Sequence, residues 1–312
     1  HLSYYSLYGH LSLIPVPDID RSSYMLIFGG NPLASNGCIM TSPDIPKRLK
    51  GIQQRGGRFI VIDPRRTETA EIADQHLFIR PGTDAWLLMA MLNTLFAEDL
   101  INTGHLTDLL VGTDEVRSAC AAFSPELAEQ RTGVGAEQIR QLARDMASTE
   151  GAVCYGRMGV SVQAHGSLCQ WLLQLINLYT GNLDKPGGAL VNDAALPITG
   201  PGTSPGARGR WHSRVRKLPE FAGELPVSAL CEEISTPGTG QIRALITSAG
   251  NPVLSTPDGV AVDAALSGLE FMLSIDIYIN ESTRHADLIL PPASFLSQDH
   301  YDSVFNAFAV RR

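Results

Sequence analysis

Two carboxylates, two arginines and a glycine turn in the first third of the chain have the types and order needed to grip a nucleotide. Gly29-Gly30-Asn31-Pro32 follows a short apolar run. A glycine turn after a strand lets backbone N–H groups approach a pyrophosphate, and a helix start favours the anion. Asp63 stands at the end of the next apolar run, where nucleotide folds place a ribose-binding carboxylate. Arg65 and Arg66 are permanent cations that can contact phosphate or a purine edge in pairs. Asp84 follows Pro81-Gly82-Thr83 and opens an apolar helical stretch. From a helix start it can accept the paired N1–H and N2–H of guanine, which adenine does not offer. Taken singly, each of these residues reads as turn or capping chemistry; the ordered set reads as a binding site.

The set is partly duplicated. Gly30-Asn31-Pro32-Leu33-Ala34-Ser35 is echoed by Gly250-Asn251-Pro252-Val253-Leu254-Ser255. Asp63, Glu68-Thr69 and Ala73-Asp74 are echoed by Asp276, Glu281-Ser282 and Ala286-Asp287, with 11 residues from Asp63 to Asp74 and from Asp276 to Asp287. Three ordered matches with one shared spacing indicate a repeat of the whole unit. A duplicated fold without a ligand is the plainer reading. Two related pockets for two copies of one ligand is the sharper one, because such turns lie where α/β sheets bind nucleotides.

The elements that must position these residues are legible. Apolar runs at 24–28 and 59–62, separated by a helical stretch at 45–54 that Gly56-Gly57 ends, form a βαβ unit and hence a parallel sheet. A third strand is expected at 77–80, then a helix at 85–95 with Thr83 as its N-cap. Residues 113–149 read as helical, 152–155 as a strand, and 165–179 as a helix burying Trp171, Leu172, Leu175 and Ile176. The Pro/Gly-rich tract 184–217, with Arg208, Arg210, Arg214 and Arg216, reads as a long irregular connection. Strands at 242–247, 270–275 and 288–290 and a helix near 257–267 follow. The fold class is α/β: two Rossmann-like parallel-sheet domains related by the repeat. The expected boundaries are 1–188 for a nucleotide-binding domain and 189–312 for a second α/β domain, itself part of a larger discontinuous one.

The 312 residues carry 24 Lys and Arg against 32 Asp and Glu, a net charge of −8. An acidic chain without a basic cluster excludes a nucleic-acid surface. No apolar run is long enough to insert in a membrane, and no signal peptide is visible. The five cysteines lack CxxC spacing, so they read as buried thiols, not as ligands of zinc or an iron–sulfur cluster.

These strings resemble the molybdopterin oxidoreductases of the dimethyl-sulfoxide-reductase type. The likeness rests on Gly30-Asn31-Pro32, Asp63-Pro64-Arg65-Arg66-Thr67, Ala73-Asp74 and Arg80-Pro81-Gly82-Thr83-Asp84. It continues through Tyr155-Gly156-Arg157-Met158-Gly159, His165-Gly166, Thr180-Gly181-Asn182, Pro186-Gly187-Gly188 and the distal copy, covering about residues 24–300. The resemblance implies two molybdopterin guanine dinucleotides that chelate molybdenum or tungsten in the whole protein. Gly30, Asn31, Pro32, Asp63, Arg65, Gly82, Thr83 and Asp84 would hold one guanine end. Asn251, Asp276 and Glu281 would approach the other. Arg157, Gly159 and His165 join as cofactor-facing candidates; His285 reads as structural.

The implied reaction is a two-electron redox change of a small-molecule substrate, with an electron-transfer protein or subunit as partner. The metal-ligand segment and the iron–sulfur cysteines are expected outside these 312 residues, so catalytic residues stay unassigned and the piece alone is expected to be inactive. Cytoplasmic or periplasmic location both fit. Residues 189–200 hold no arginine, a residue that formate dehydrogenases of the family carry after the TGN loop, so formate is unsupported as substrate. Asp184 replaces a glycine common in that loop. The alternative is a non-catalytic subunit of the same fold, as in the large iron–sulfur subunit of NADH dehydrogenase. Retention of Arg65, Asp84 and the PGT turn favours the enzyme.

Overall fold

The computed structural model describes residues 1–191 and 197–299, which divide into two compact units, 1–205 and 206–301. The division falls at 205/206, beyond the 188/189 boundary read from the sequence. Its physical reason is a ribbon in which β1 (Val16–Pro17) pairs antiparallel with β6 (Ala189–Leu190), tying the latter to the first unit. A short helix, α1 (Leu2–Tyr8), precedes the ribbon and packs on the helix Gly166–Tyr179.

The first unit is built on a four-stranded parallel sheet in the order β4-β3-β2-β5. The strands are β2 (Tyr24–Phe28), β3 (Arg58–Ile62), β4 (Gln75–Leu77) and β5 (Ala152–Gly156). Every residue of β2 is buried, as a central parallel strand with both faces covered requires. Helices α2 (Pro32–Ser35), α3 (Ile45–Gln54) and α4 (Glu68–Ile72) connect the first strands. The longer stretch after β4 holds α5 (Asp84–Ala97), α6 (Thr113–Cys120), α7 (Pro125–Thr132), α8 (Ala136–Ser148), α9 (Met158–Ser161) and α10 (Gly166–Tyr179). In α10 Leu172, Leu175 and Ile176 are fully or almost fully buried, as their spacing implies, whereas Trp171, expected on the same face, is only half-buried against the core.

Two details differ from the pattern reading. The third strand runs Gln75–Leu77, two residues early, because Asp74 opens the pairing: its N–H donates to Phe59 O and its Oδ2 accepts the Phe59 N–H. Beyond Leu77 the chain leaves the sheet, and the Arg80 N–H donates to Thr132 O. Thr83 stands at the N-cap of α5, but its hydroxyl donates back to Arg80 O at 2.7 Å and caps nothing. Asp184 takes φ +52, which explains why a glycine suits that position.

The second unit carries a three-stranded parallel sheet, β11-β10-β9. Its elements are the hairpin β7 (Arg208–His212) and β8 (Pro219–Phe221), then α11 (Leu230–Ser235), β9 (Ala244–Ser248), α12 (Pro252–Ser255), α13 (Gly259–Leu266), β10 (Phe271–Ile275) and β11 (Leu288–Ile289). The hairpin corrects the expectation of an irregular tract. Arg210 pairs with the buried Glu220, Arg214 with Glu233 and Arg216 with Glu232, so the arginines serve the unit's own structure. One face of the sheet packs Met272 against Ile234, Val262, Ala265 and Leu266. Among the described residues, no helix is long and apolar enough to cross a membrane.

Candidate functional site

The glycine turn after β2 exists in its present shape because of close backbone approach. Gly29 takes φ +52, and a Cβ there would lie 2.7 Å from Val160 N and 2.8 Å from Gly159 Cα. Gly159 in turn would put a Cβ 2.7 Å from Gly29 Cα. The two glycines therefore allow the turn after β2 and the turn after β5 to touch, with the Gly159 N–H donating to Gly29 O at 2.9 Å.

Asn31 holds the turn open by side-chain bonds. Its Nδ2 donates to Glu68 Oε2 at 2.6 Å, and its Oδ1 accepts the Thr69 hydroxyl at 2.7 Å. Thr69 Oγ1 accepts the Leu33 N–H at 3.1 Å. Pro32 is the first residue of α2, where its missing N–H costs nothing. Asp63, at the end of β3, accepts the Arg65 N–H at 2.8 Å. The Arg65 guanidinium is largely exposed and 3.7 Å from Glu68.

Between these turns lies a cleft of about 410 Å³ at the carboxyl ends of β2, β3 and β5. It brings together Gly30, Asn31, Asp63, Arg65, Arg157 and Gly159. Pro32, Gly82, Thr83 and His165 do not line it; His165 is exposed at the start of α10. Asp84 sits behind it, 5% exposed at the start of α5. Its Oδ2 accepts Gln163 Nε2 at 2.9 Å, and the same amide donates to Gly159 O at 3.1 Å. Burial pushes the Asp84 carboxyl above its ordinary range, against the Gln163 bond that lowers it, and the Asp63 charge adds to the rise. Gln163 Oε1 is buried without a partner in the protein. A buried acceptor of that kind beside a carboxylate is a place for a ligand N–H.

The second copy repeats the latch bond for bond. Asn251 Nδ2 donates to Glu281 Oε2 at 2.8 Å, Ser282 donates to Asn251 Oδ1 at 2.6 Å, and the Val253 N–H donates to Ser282 Oγ at 3.0 Å. Asp287 Oδ2 accepts the Met272 N–H at 2.8 Å, as Asp74 does from Phe59. Asp276 accepts the N–H groups of Ile277 and Tyr278. Counting from Asp276, Tyr278 stands where Arg65 stands in the first copy, so the second turn lacks that cation. Glu68, Thr69 and Gln163 were not nominated from the sequence. The first two lay inside the repeat, where Glu281-Ser282 marked them; Gln163 carried no signal.

The residues of the first cleft fit a pyrophosphate-linked purine nucleotide. Two cations flank a glycine turn with no room for side chains, and a buried carboxylate and an orphaned amide oxygen stand behind it. Residues 3–303 match the family model described as "Molybdopterin oxidoreductase". Formate dehydrogenase H of Escherichia coli is 29% identical over 94% of this chain and 42% of its own length. The F420-dependent formate dehydrogenase subunit alpha of Methanocaldococcus jannaschii is 29% identical over 91% of the chain and 43% of its own length. The assimilatory nitrate reductase catalytic subunit of Bacillus subtilis is 29% identical over 91% and 41%. The chain thus spans less than half the length of these relatives. Acetylene hydratase from Pelobacter acetylenicus shares the fold, with TM-score 0.74 at 19% identity over 95% of this chain and 45% of that one.

Proposed function

The chain belongs to the molybdopterin oxidoreductase family, and from that premise we propose that it is the cofactor-binding core of a molybdenum or tungsten enzyme carrying two molybdopterin guanine dinucleotides. The observation that carries this reading is the latched glycine turn, present twice, with a buried Asp84–Gln163 pair behind the first copy. In the first unit, the backbone at Gly30 and Gly159 would face the pyrophosphate, with Arg65 and Arg157 opposing its charge. Asp63 would accept ribose hydroxyls. Asp84 and Gln163 would receive the purine's N–H edge, which satisfies the orphaned Oε1.

In the second unit Asn251, Asp276 and Glu281 would meet the other dinucleotide through a turn without arginine. The bound cofactor would supply two-electron redox chemistry at its metal, while the protein binds, orients and desolvates it. The metal ligand, an iron–sulfur cluster and an electron-transfer partner would belong to the rest of the protein. The substrate is a small molecule that neither the relatives' names nor the tract after Gly188 selects.

The deciding experiment is elemental mass spectrometry of the full-length protein together with acid release of GMP. The expected result is molybdenum or tungsten with about two GMP per metal atom. Neither metal nor GMP, in a host that makes the cofactor, would overturn the reading and leave a non-catalytic subunit of the same fold.

A further inference from the structure

A separate cavity of about 200 Å³ lies beside β5, the edge strand of the first sheet, among α1, β1 and α10. Among the described residues, Arg157 is the one that lines both this cavity and the strand-end cleft. Two bonds fix α1 on α10 there. The Ser3 hydroxyl donates to Ser167 O at 2.7 Å, and the Tyr8 hydroxyl donates to Gln174 Oε1 at 3.2 Å. Tyr4 and Tyr8, four positions apart in α1, stack with ring centroids 6.2 Å apart.

The polar groups that reach this cavity are chiefly donors. Gln174 is 5% exposed, and Tyr8 occupies its Oε1. Its Nε2 has no hydrogen-bond partner among the described residues, and the side chain lines the cavity. The Tyr4 hydroxyl likewise lacks a partner among the described residues and lines the same space. Burial pushes that hydroxyl up to about 12, against the Arg157 charge that lowers it, so it keeps its proton and donates at neutral pH. Arg157 adds a permanent positive charge. No Asp or Glu stands among the described lining residues. Ile14, Pro17 and Val153 supply apolar wall, which strengthens a charge-assisted bond made against it. An idle N–H on so deeply buried an amide is costly, and such groups are placed where an acceptor meets them.

We propose that this cavity binds a small planar oxyanion of the carboxylate class, with Gln174 Nε2 and the Tyr4 hydroxyl donating to its oxygens and Arg157 opposing its charge. A carboxylate accepts at two oxygens and donates nothing, which matches two neutral donors and a cation. The size agrees. Sites for drug-sized ligands span roughly 300–1,000 Å³, so this cavity suits a few heavy atoms where the cleft of about 410 Å³ suits a nucleotide. The site needs no dinucleotide beside it, so the GMP assay and the test below fail separately.

The test is thermal unfolding of the full-length protein in increasing sodium acetate, at neutral pH and at ionic strength held constant with sodium chloride. A saturable rise in Tm is expected with acetate, and none with acetamide, its neutral isostere. Tyr4→Phe keeps the ring stack on Tyr8 and removes one donor. Gln174→Glu keeps an oxygen for Tyr8 and puts a second oxygen where the donor stood. Each is expected to weaken acetate binding about tenfold or more, with GMP per metal unchanged. An absent rise, an equal rise with acetamide, or an acetate response unchanged in either variant would overturn the site. If Gln174→Glu fails to fold, Tyr4→Phe decides alone.

Discussion

Asp84 shows how a binding residue differs from a structural one with the same side chain. Its carboxyl is pushed up by burial, and the protein supplies a single side-chain donor in return. A raised folded value means that its contribution to stability is present below the unfolded carboxyl range and is lost as pH rises through the folded value. Asp84→Asn is therefore expected to raise the Tm of cofactor-free protein at neutral pH, with the gain vanishing in acid, while GMP per metal falls. A lower Tm at neutral pH would make Asp84 a mere helix-start residue. Asp74, in contrast, accepts from the Phe59 N–H and from Gln53 at 3.1 Å. Asp74→Ala is expected to cost about 1–3 kcal/mol in denaturant unfolding and to spare GMP retention.

The turn glycines give a paired prediction at the same scale. Gly29→Ala forces a Cβ against Val160 N in a left-handed backbone, and a loss of roughly 2–4 kcal/mol is expected. Ala249, its counterpart, already takes φ +50. Ala249→Gly relieves that strain against a more flexible unfolded chain, for an expected gain of about 0.5–1 kcal/mol. Equilibrium unfolding of both variants checks the pair; a destabilised Ala249→Gly would mean that the two turns are not equivalent.

Among the elements, the β7–β8 hairpin is the one most dependent on a charge pair. Glu220 is buried and accepts from the Arg210 side chain, the Gly223 N–H and the Arg210 N–H. The Arg210 bond, chiefly, holds its carboxyl down at about 2. A lowered folded value means stability present above the ordinary Glu range and lost as pH falls toward 2. Tryptophan fluorescence of Trp211, which stacks on Arg210, should report opening of the hairpin in that window. Glu220→Gln is expected to flatten the acid limb; an unchanged profile would assign acid loss to another group. The helices and strands themselves were legible because their apolar periods are strong, as β2 and α10 show. The hairpin was not, because its strand Arg208–His212 has no alternating apolar face and is held by the Arg210–Glu220 ion pair across the turn.

At the scale of the whole molecule, the matched relatives are more than twice as long as the matched region. The 312-residue chain alone is expected to show no turnover with dye donors or acceptors, since the metal-ligand segment and part of each pocket would come from elsewhere. Measurable turnover by this chain would refute that division of labour.

Sequence by itself determined the α/β class, the duplication and the family, because glycine turns, strand-end aspartates and apolar periods are local signals that survive in order. It also pointed to Gly30, Asn31, Asp63 and Arg65, which line one cleft because all follow adjacent parallel strands. Only the tertiary structure decided that Asn31 spends its side chain on Glu68 and Thr69 and that Gln163 reaches Asp84 from 79 positions away. Those facts depend on which distant segments meet, and contacts across long loops leave no period in the chain that makes them.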